Sequence, residues 1–225
     1  METKFSNSLK DSFAHLADMD KAHLELGVEM SNAYGGALYG MDLLAFGALN
    51  RSKAHIAGFR TLIEAKNLIC AGALLRLQLD TAMRFFAAFL VESPHDFALA
   101  VLDGKKVRDL RDRNNKALTD SYLVKKLGEE FQWVPSVYER TCGYIHLSSA
   151  HLMSAITPQY EEGESFQFKV KVSAEDKPLP ASVYIEASDA FCATTEIFLS
   201  YIHGWVFTKA NPQLVEKWKR EQAGV

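Results

Sequence analysis

The sequence lacks a dominant charge sign. Twenty-five Lys and Arg stand against 28 Asp and Glu, for a formal net charge of -3. No global field therefore draws the chain to nucleic acid or to a membrane surface, and any polyanion contact must come from a local patch. Cysteine is scarce: Cys70, Cys142 and Cys192. They are odd in number, widely spaced and set in apolar helical contexts. They read as reduced, intracellular thiols, and exclude a disulfide frame and a cysteine zinc site. No apolar core with a cleavage site follows Met1, so no signal peptide is expected. Uninterrupted membrane-length runs are missing too. Residues 35–49 are too few and include Asp42, and residues 68–91 carry Arg76, Asp80 and Arg84 near their middle. Charges there cost several kcal/mol in hydrocarbon, which favours a buried soluble helix. There is no Gly-rich phosphate loop, no Gly-x-Ser-x-Gly elbow, no internal repeat and no evident linker. These absences leave a cytoplasmic protein, without membrane contact, folded as one domain over residues 1–225.

What is present is helical periodicity. The chain is 48% hydrophobic, ample for a core. Phe5, Leu9, Phe13, Leu16, Met19, His23, Leu26 and Met30 recur at three- and four-residue steps, predicting a first helix to about Ala33. A second apolar segment spans 37–66, with Asn50-Arg51-Ser52 as a possible interruption. Asn67 suits the N-cap of a third helix running to about Glu92, ended by Ser93-Pro94. A short helix over 95–102 stops at Asp103-Gly104, and Thr119 or Asp120 could cap one running to Glu130. Ser165 to Ser173 alternates apolar and polar residues, the one clear strand signal. A last helix is expected over about 182–208. The expected architecture is all-α: a helical bundle with a small β-strand or hairpin insertion, at about 164–180, before the last long helix. A polar tail follows from about residue 209.

Two charged groups are candidates for binding. Arg76, Asp80 and Arg84 fall at i, i+4 and i+8, along one stripe of the third helix. They form either an ion ladder within the bundle or the edge of an anionic-ligand site. Lys105 to Lys126 holds eight basic residues against Asp109, Asp112 and Asp120. It reads either as a solvated surface or as a track for a phosphate backbone.

The chemically richest stretch is Ser136 to His151, introduced by Trp133-Val134-Pro135 and expected to run as one helix to about Ile156. It holds Arg140, Cys142, Tyr144, His146 and His151. On a continuous helix Arg140 and His146 lie about 240° apart. Cys142, His146 and Ala150 would share one stripe, and Arg140, Tyr144 and Leu147 or Ser148 another. Gly143 would leave a gap for a ligand or a neighbouring helix. His146 and His151 do not stack as an i, i+4 metal pair would, and Glu161 or Glu162 could join them only through a favourable loop. No metal and no cofactor are expected. Cys142 beside His146 lacks a third orienting group for thiolate chemistry. His146 could also be a packed helix histidine, and Arg140 an ordinary surface ion-pair residue.

Arg140 followed by His146 on a late helix of an all-α bundle resembles the motif of the HEPN superfamily (higher eukaryotes and prokaryotes nucleotide-binding). The layout is also similar to that of HEPN-like uncharacterised bacterial proteins, in Leu75-Arg76-Leu77-Gln78-Leu79-Asp80 followed by Tyr144-Ile145-His146-Leu147-Ser148. The likeness covers about residues 40 to 205. It departs at Thr141, where active HEPN nucleases often carry Asn, Asp or His. The resemblance implies a metal-independent RNA endonuclease, such as the toxin of a bacterial defence or toxin–antitoxin system, with an antitoxin or defence partner. It also implies a homodimer whose motif helices line a shared cleft. His146 would then be the acid or base, since its unperturbed pKa is about 6.5. Arg140 would stabilise phosphorane charge, and Tyr144 would donate a hydrogen bond. The alternative is a non-catalytic module of the same fold that binds a nucleotide, an anionic ligand or a partner protein through Arg76, Arg84 and the 105–126 segment. A third is an oligomerisation scaffold marked by exposed Trp133, Trp205 or Trp218.

Overall fold

The computed structural model of the chain describes residues 8–159, 167–214 and 217. Within them the apolar periodicity becomes an all-α bundle with one small hairpin before the last long helix. Helix α1 (Leu9–Asn32) starts at Ser8, whose hydroxyl accepts from the Asp11 amide at 3.3 Å. The chain then reverses through Tyr34, Gly35 and Gly36, all at positive φ. Helix α2 (Gly40–Glu64) runs unbroken through Asn50-Arg51-Ser52 because Ser52 is buried and hydrogen-bonded. Asn67 caps α3 (Leu68–Phe86), its side chain accepting from the Cys70 amide. A tighter turn over Ala87–Phe89 follows, so α3 ends earlier than the expected Glu92. Ser93 caps α4 (Pro94–Leu102), with Pro94 in the first turn where its missing N–H is harmless. Thr119 caps α5 (Asp120–Glu130).

Helix α3 is the centre. It packs against α2, α5 and the long last helix α8 (Ala181–Ala210), and against α6 (Val134–Ile145). Helix α1 closes the other side of α2 and α8. The interior is apolar: Phe59 stacks on Phe191 at 4.1 Å, and Leu79, Met83, Phe198 and Ile202 are fully enclosed. Each such side chain stabilises the fold by about 1.5–3 kcal/mol relative to exposure.

One polar chain threads this core. The Gln78 amide donates to the Ser52 hydroxyl (2.7 Å) and to the Thr195 hydroxyl (3.1 Å). Its carbonyl lies 3.0 Å from His55 Nδ1. Ser52 Oγ also meets His23 Nε2 at 2.7 Å, and His23 Nδ1 meets the Met19 carbonyl at 2.7 Å. A carbonyl only accepts, so His23 carries its proton on Nδ1, and Nε2 accepts from Ser52. The network is satisfied with both histidines neutral, and burial lowers both pKa values below 6.5.

Three further boundaries depart from the sequence reading. The helix expected to run unbroken to Ile156 breaks at His146: α6 ends at Ile145, and α7 (Ser149–Ala155) begins anew. Ile156, expected at the end of that helix, instead opens strand β1 (Ile156–Gln159), antiparallel to β2 (Gln167–Val170), with Ile156 opposite Val170 and Pro158 opposite Phe168. Pro158 is tolerated because a two-stranded ribbon has only edge strands. Ser165 and Phe166, at the start of the expected strand, lie outside the described residues. Helix α8 continues to Ala210, so Lys209 belongs to it and is buried. No helix among the described residues is long and apolar enough to cross a membrane.

Candidate functional site

Three helices leave a cleft of about 260 Å³ between them: α3, α6 and α8. Its base comes from α3, where Gly72 lies directly beneath the Tyr144 ring of α6. A Cβ at position 72 would stand only 2.6 Å from two ring carbons. Small residues on α8, Ala187 and Ala190, open the other wall. Four polar side chains line this apolar slot: Arg140, Thr141, Tyr144 and Glu186.

Arg140 reaches across from α6 to α8, its Nη1 donating to Glu186 Oε1 at 2.7 Å. Both side chains are well exposed, 68% and 61%, so the pair sits at the cleft mouth. An exposed pair of this kind holds by about 0–1 kcal/mol, and a ligand can displace it. Tyr144 is half-buried. Burial raises its pKa, opposed by the Arg140 charge, so the phenol stays protonated at neutral pH. Its hydroxyl makes no hydrogen bond to another described residue. Thr141 is buried, and its hydroxyl donates back to its own helix, to the carbonyls of Val137 (2.6 Å) and Tyr138 (3.2 Å). It offers the cleft a methyl group.

His146 is not among the lining residues. It takes an extended conformation just past α6 (φ -114°, ψ 146°), is exposed, and has no hydrogen-bond partner among the described residues. The stripes expected on a continuous helix therefore hold only for α6 itself: Arg140 and Tyr144 share a face, whereas Cys142 and His146 do not. The break has a local cause. Ser148 Oγ donates to the Gly143 carbonyl at 2.7 Å and closes the end of α6. The Ser148 carbonyl accepts from the His151 amide at 3.1 Å, starting α7. His151 Nδ1 in turn lies 3.3 Å from the Ser148 amide, as the third residue does in a capping box. The gap expected at Gly143 is taken by Ser148. The close approach that glycine permits is at Gly72 instead.

The second expected group lies farther along α3. Arg84 Nε meets Asp80 at 2.8 Å and Arg84 Nη2 meets Asp120 at 3.0 Å. Arg51 approaches Asp80 at 3.6 Å, and Arg76 approaches Asp120 at 3.6 Å. The Arg76 guanidinium also lies over the Tyr138 ring at 4.1 Å. Arg76, Asp80 and Arg84 are thus joined in one charge network between α2, α3 and α5. Three residues of the basic run at 105–126 are engaged locally. Arg113 donates to the carbonyls of Phe89, Leu90 and Val91, Arg111 to that of Asn115, and Lys126 to Glu129. Asp112 organises that loop by accepting from two amides and from Tyr122 Oη at 2.5 Å. Trp205 is buried and donates to Asp42 at 2.9 Å, so it marks no exposed scaffold face. Trp218, Glu161 and Glu162 lie outside the described residues.

Glu186 and Gly72 escaped the sequence reading. Glu186 looks like any solvated helix glutamate, and the only trace of its setting is the small-residue spacing Val183, Ala187, Ala190 beside it. Among the described residues no group of three His, Cys, Asp or Glu could hold a metal ion. No family model matches the chain, and no curated protein or solved structure is significantly similar to it.

Proposed function

We propose that the chain is a HEPN-like helical module that binds a nucleotide in the α3–α6–α8 cleft without acting on it chemically. The observation that carries this reading is the convergence of Arg140, Tyr144 and Glu186 on one apolar slot while His146 stands outside it. An apolar cavity with a few converging polar groups is the usual form of a small-ligand site. General acid–base chemistry needs a titrating group within hydrogen-bond reach of the reacting atom. Thr141, turned into its own helix, supplies none. The test is a thermal-shift series with the four ribonucleoside 5′-monophosphates. A ligand at about 100 times its Kd stabilises by about 2.7 kcal/mol. At least one nucleotide should raise Tm, and Arg140→Ala should remove the rise. No shift with any of the four sinks the reading.

A second reading, the metal-independent RNA endonuclease, is favoured by one observation. Arg140 and His146 are both exposed, near Ile145, Leu147, Leu152 and Met153, which are exposed apolar residues that a second copy of the chain could cover. Two chains facing each other there would supply two Arg140–His146 pairs. Cleavage of a mixed RNA pool in EDTA, lost in both Arg140→Ala and His146→Ala, is the expected result. Cleavage that survives both substitutions refutes this reading.

A further inference from the structure

We infer that the cleft selects guanine among the nucleobases, an inference that rests on the nucleotide-binding reading above. The cleft's size sets the first limit. At about 260 Å³ it falls just below the roughly 300–1,000 Å³ of sites that enclose whole drug-sized ligands. It suits a flat base that enters edge first between Arg140 and Glu186, with N9 and its ribose and phosphate pointing outward. The walls agree with this. Ala187 and Ala190 present little side-chain bulk, and the Tyr144 ring, seated on Gly72, offers an aromatic surface. Base-on-aromatic stacking is a general means of holding an unpaired base.

The mouth sets the second limit. Arg140 and Glu186 touch at 2.7 Å, so they present a block of donors beside a block of acceptors with no net charge. A lone carboxylate or phosphate entering there meets Glu186 as well as Arg140. A lone ammonium meets Arg140 as well as Glu186. A neutral edge carrying both acceptors and donors satisfies the two together. Guanine alone among the four bases offers a pair of adjacent acceptors, N7 and O6, next to a pair of adjacent donors, N1–H and the N2 amine. A planar guanidinium matches the first pair and a carboxylate the second, each through two parallel hydrogen bonds. Adenine offers one donor group and one acceptor on each comparable edge, so one partner of each pair goes unmet. On guanine binding, Arg140 and Glu186 exchange their mutual contact for two bidentate ones.

The test is calorimetric titration of the intact chain with GMP, IMP, AMP, CMP and UMP. GMP should bind at least about tenfold more tightly than AMP, CMP or UMP, the scale of discrimination expected of a bidentate pair. IMP lacks only the N2 amine and should lose about tenfold against GMP, the scale of one hydrogen bond. Glu186→Gln, at an exposed position that leaves folding intact, should abolish the GMP-to-IMP difference. GMP binding no tighter than AMP, with nucleotide binding still lost in Arg140→Ala, overturns guanine selection and leaves the nucleotide reading standing. A folded protein that binds none of the five overturns both.

Discussion

Tyr144 and Gly72 set the cleft by contact between one ring and one bare backbone. Gly72→Ala would place a methyl group where the ring now lies, 2.6 Å from its carbons. The ring sits on a stiff helix and cannot swing aside freely, so overpacking of about 1–3 kcal/mol is expected. Urea denaturation of Gly72→Ala should show that loss, and nucleotide shifts should vanish with it. An unchanged midpoint would mean that the contact is slack. A second residue-scale expectation concerns His23 and His55. Burial lowers both pKa values from 6.5, so between the folded and unfolded values the unfolded chain binds more protons. Stability is then complete above about pH 6.5 and is lost as pH falls below it. Protonating His23 would also put a second donor against Ser52, which already donates to it. Denaturation midpoints at pH 7.5 and pH 5.5 should differ in that direction, and equal midpoints would contradict the neutral network.

At the scale of elements, the chain was readable where a single rule decides. Asn67 and Thr119 each cap the helix that follows, and apolar spacing alone places α1, α2, α3 and α8. The α6–α7 boundary is different because two local rules compete there. The stretch from Val134 to Ile156 tolerates helix, but the Ser148 hydroxyl turns back onto the Gly143 carbonyl of the preceding turn while its backbone carbonyl starts the following one. A Ser–x–x–His spacing was visible in Ser148 and His151, yet nothing local says whether it outweighs helix continuation. The site was legible in the same measure. Arg140 and Tyr144 share a helix face by spacing alone, whereas their partners Gly72 and Glu186 come from other helices, and single-sequence periodicity carries no pairing information. Ser148→Ala should cost about 1 kcal/mol, the size of one lost hydrogen bond, felt at the end of α6 where its hydroxyl holds the Gly143 carbonyl. Hydrogen exchange should quicken at the amides of the last turn of α6, up to Ile145, and stay unchanged in α3. Equal exchange in both proteins would show that Ser148 does not hold the break.

For the whole molecule, the tie between the ends of α1, α2 and α8 is a buried ion pair. Lys209 Nζ donates to Asp42 at 3.1 Å and to the Met30 carbonyl at 2.7 Å, with both side chains almost fully enclosed. Trp205 and the Tyr39 amide complete the shell around Asp42. Removing one partner strands the other charge, so Lys209→Met should destabilise by about 3–5 kcal/mol. A smaller loss from Lys209→Met combined with Asp42→Asn than from the sum of the singles would establish their coupling. A comparable junction lies beside the cleft. Asp176, in the loop between β2 and α8, accepts from the Leu68 amide at 2.9 Å and from the Tyr184 hydroxyl at 2.8 Å. One carboxylate therefore joins the first residue of α3 to the first turn of α8, two of the three helices that form the cleft. Opening the Leu68 amide to solvent requires the Asp176 carboxylate to release the start of α3. Leu68 thus serves as a built-in strain gauge: its deuterium uptake should slow when the cleft is filled and quicken in Asp176→Ala, while amides on the far face of α1 keep their rates.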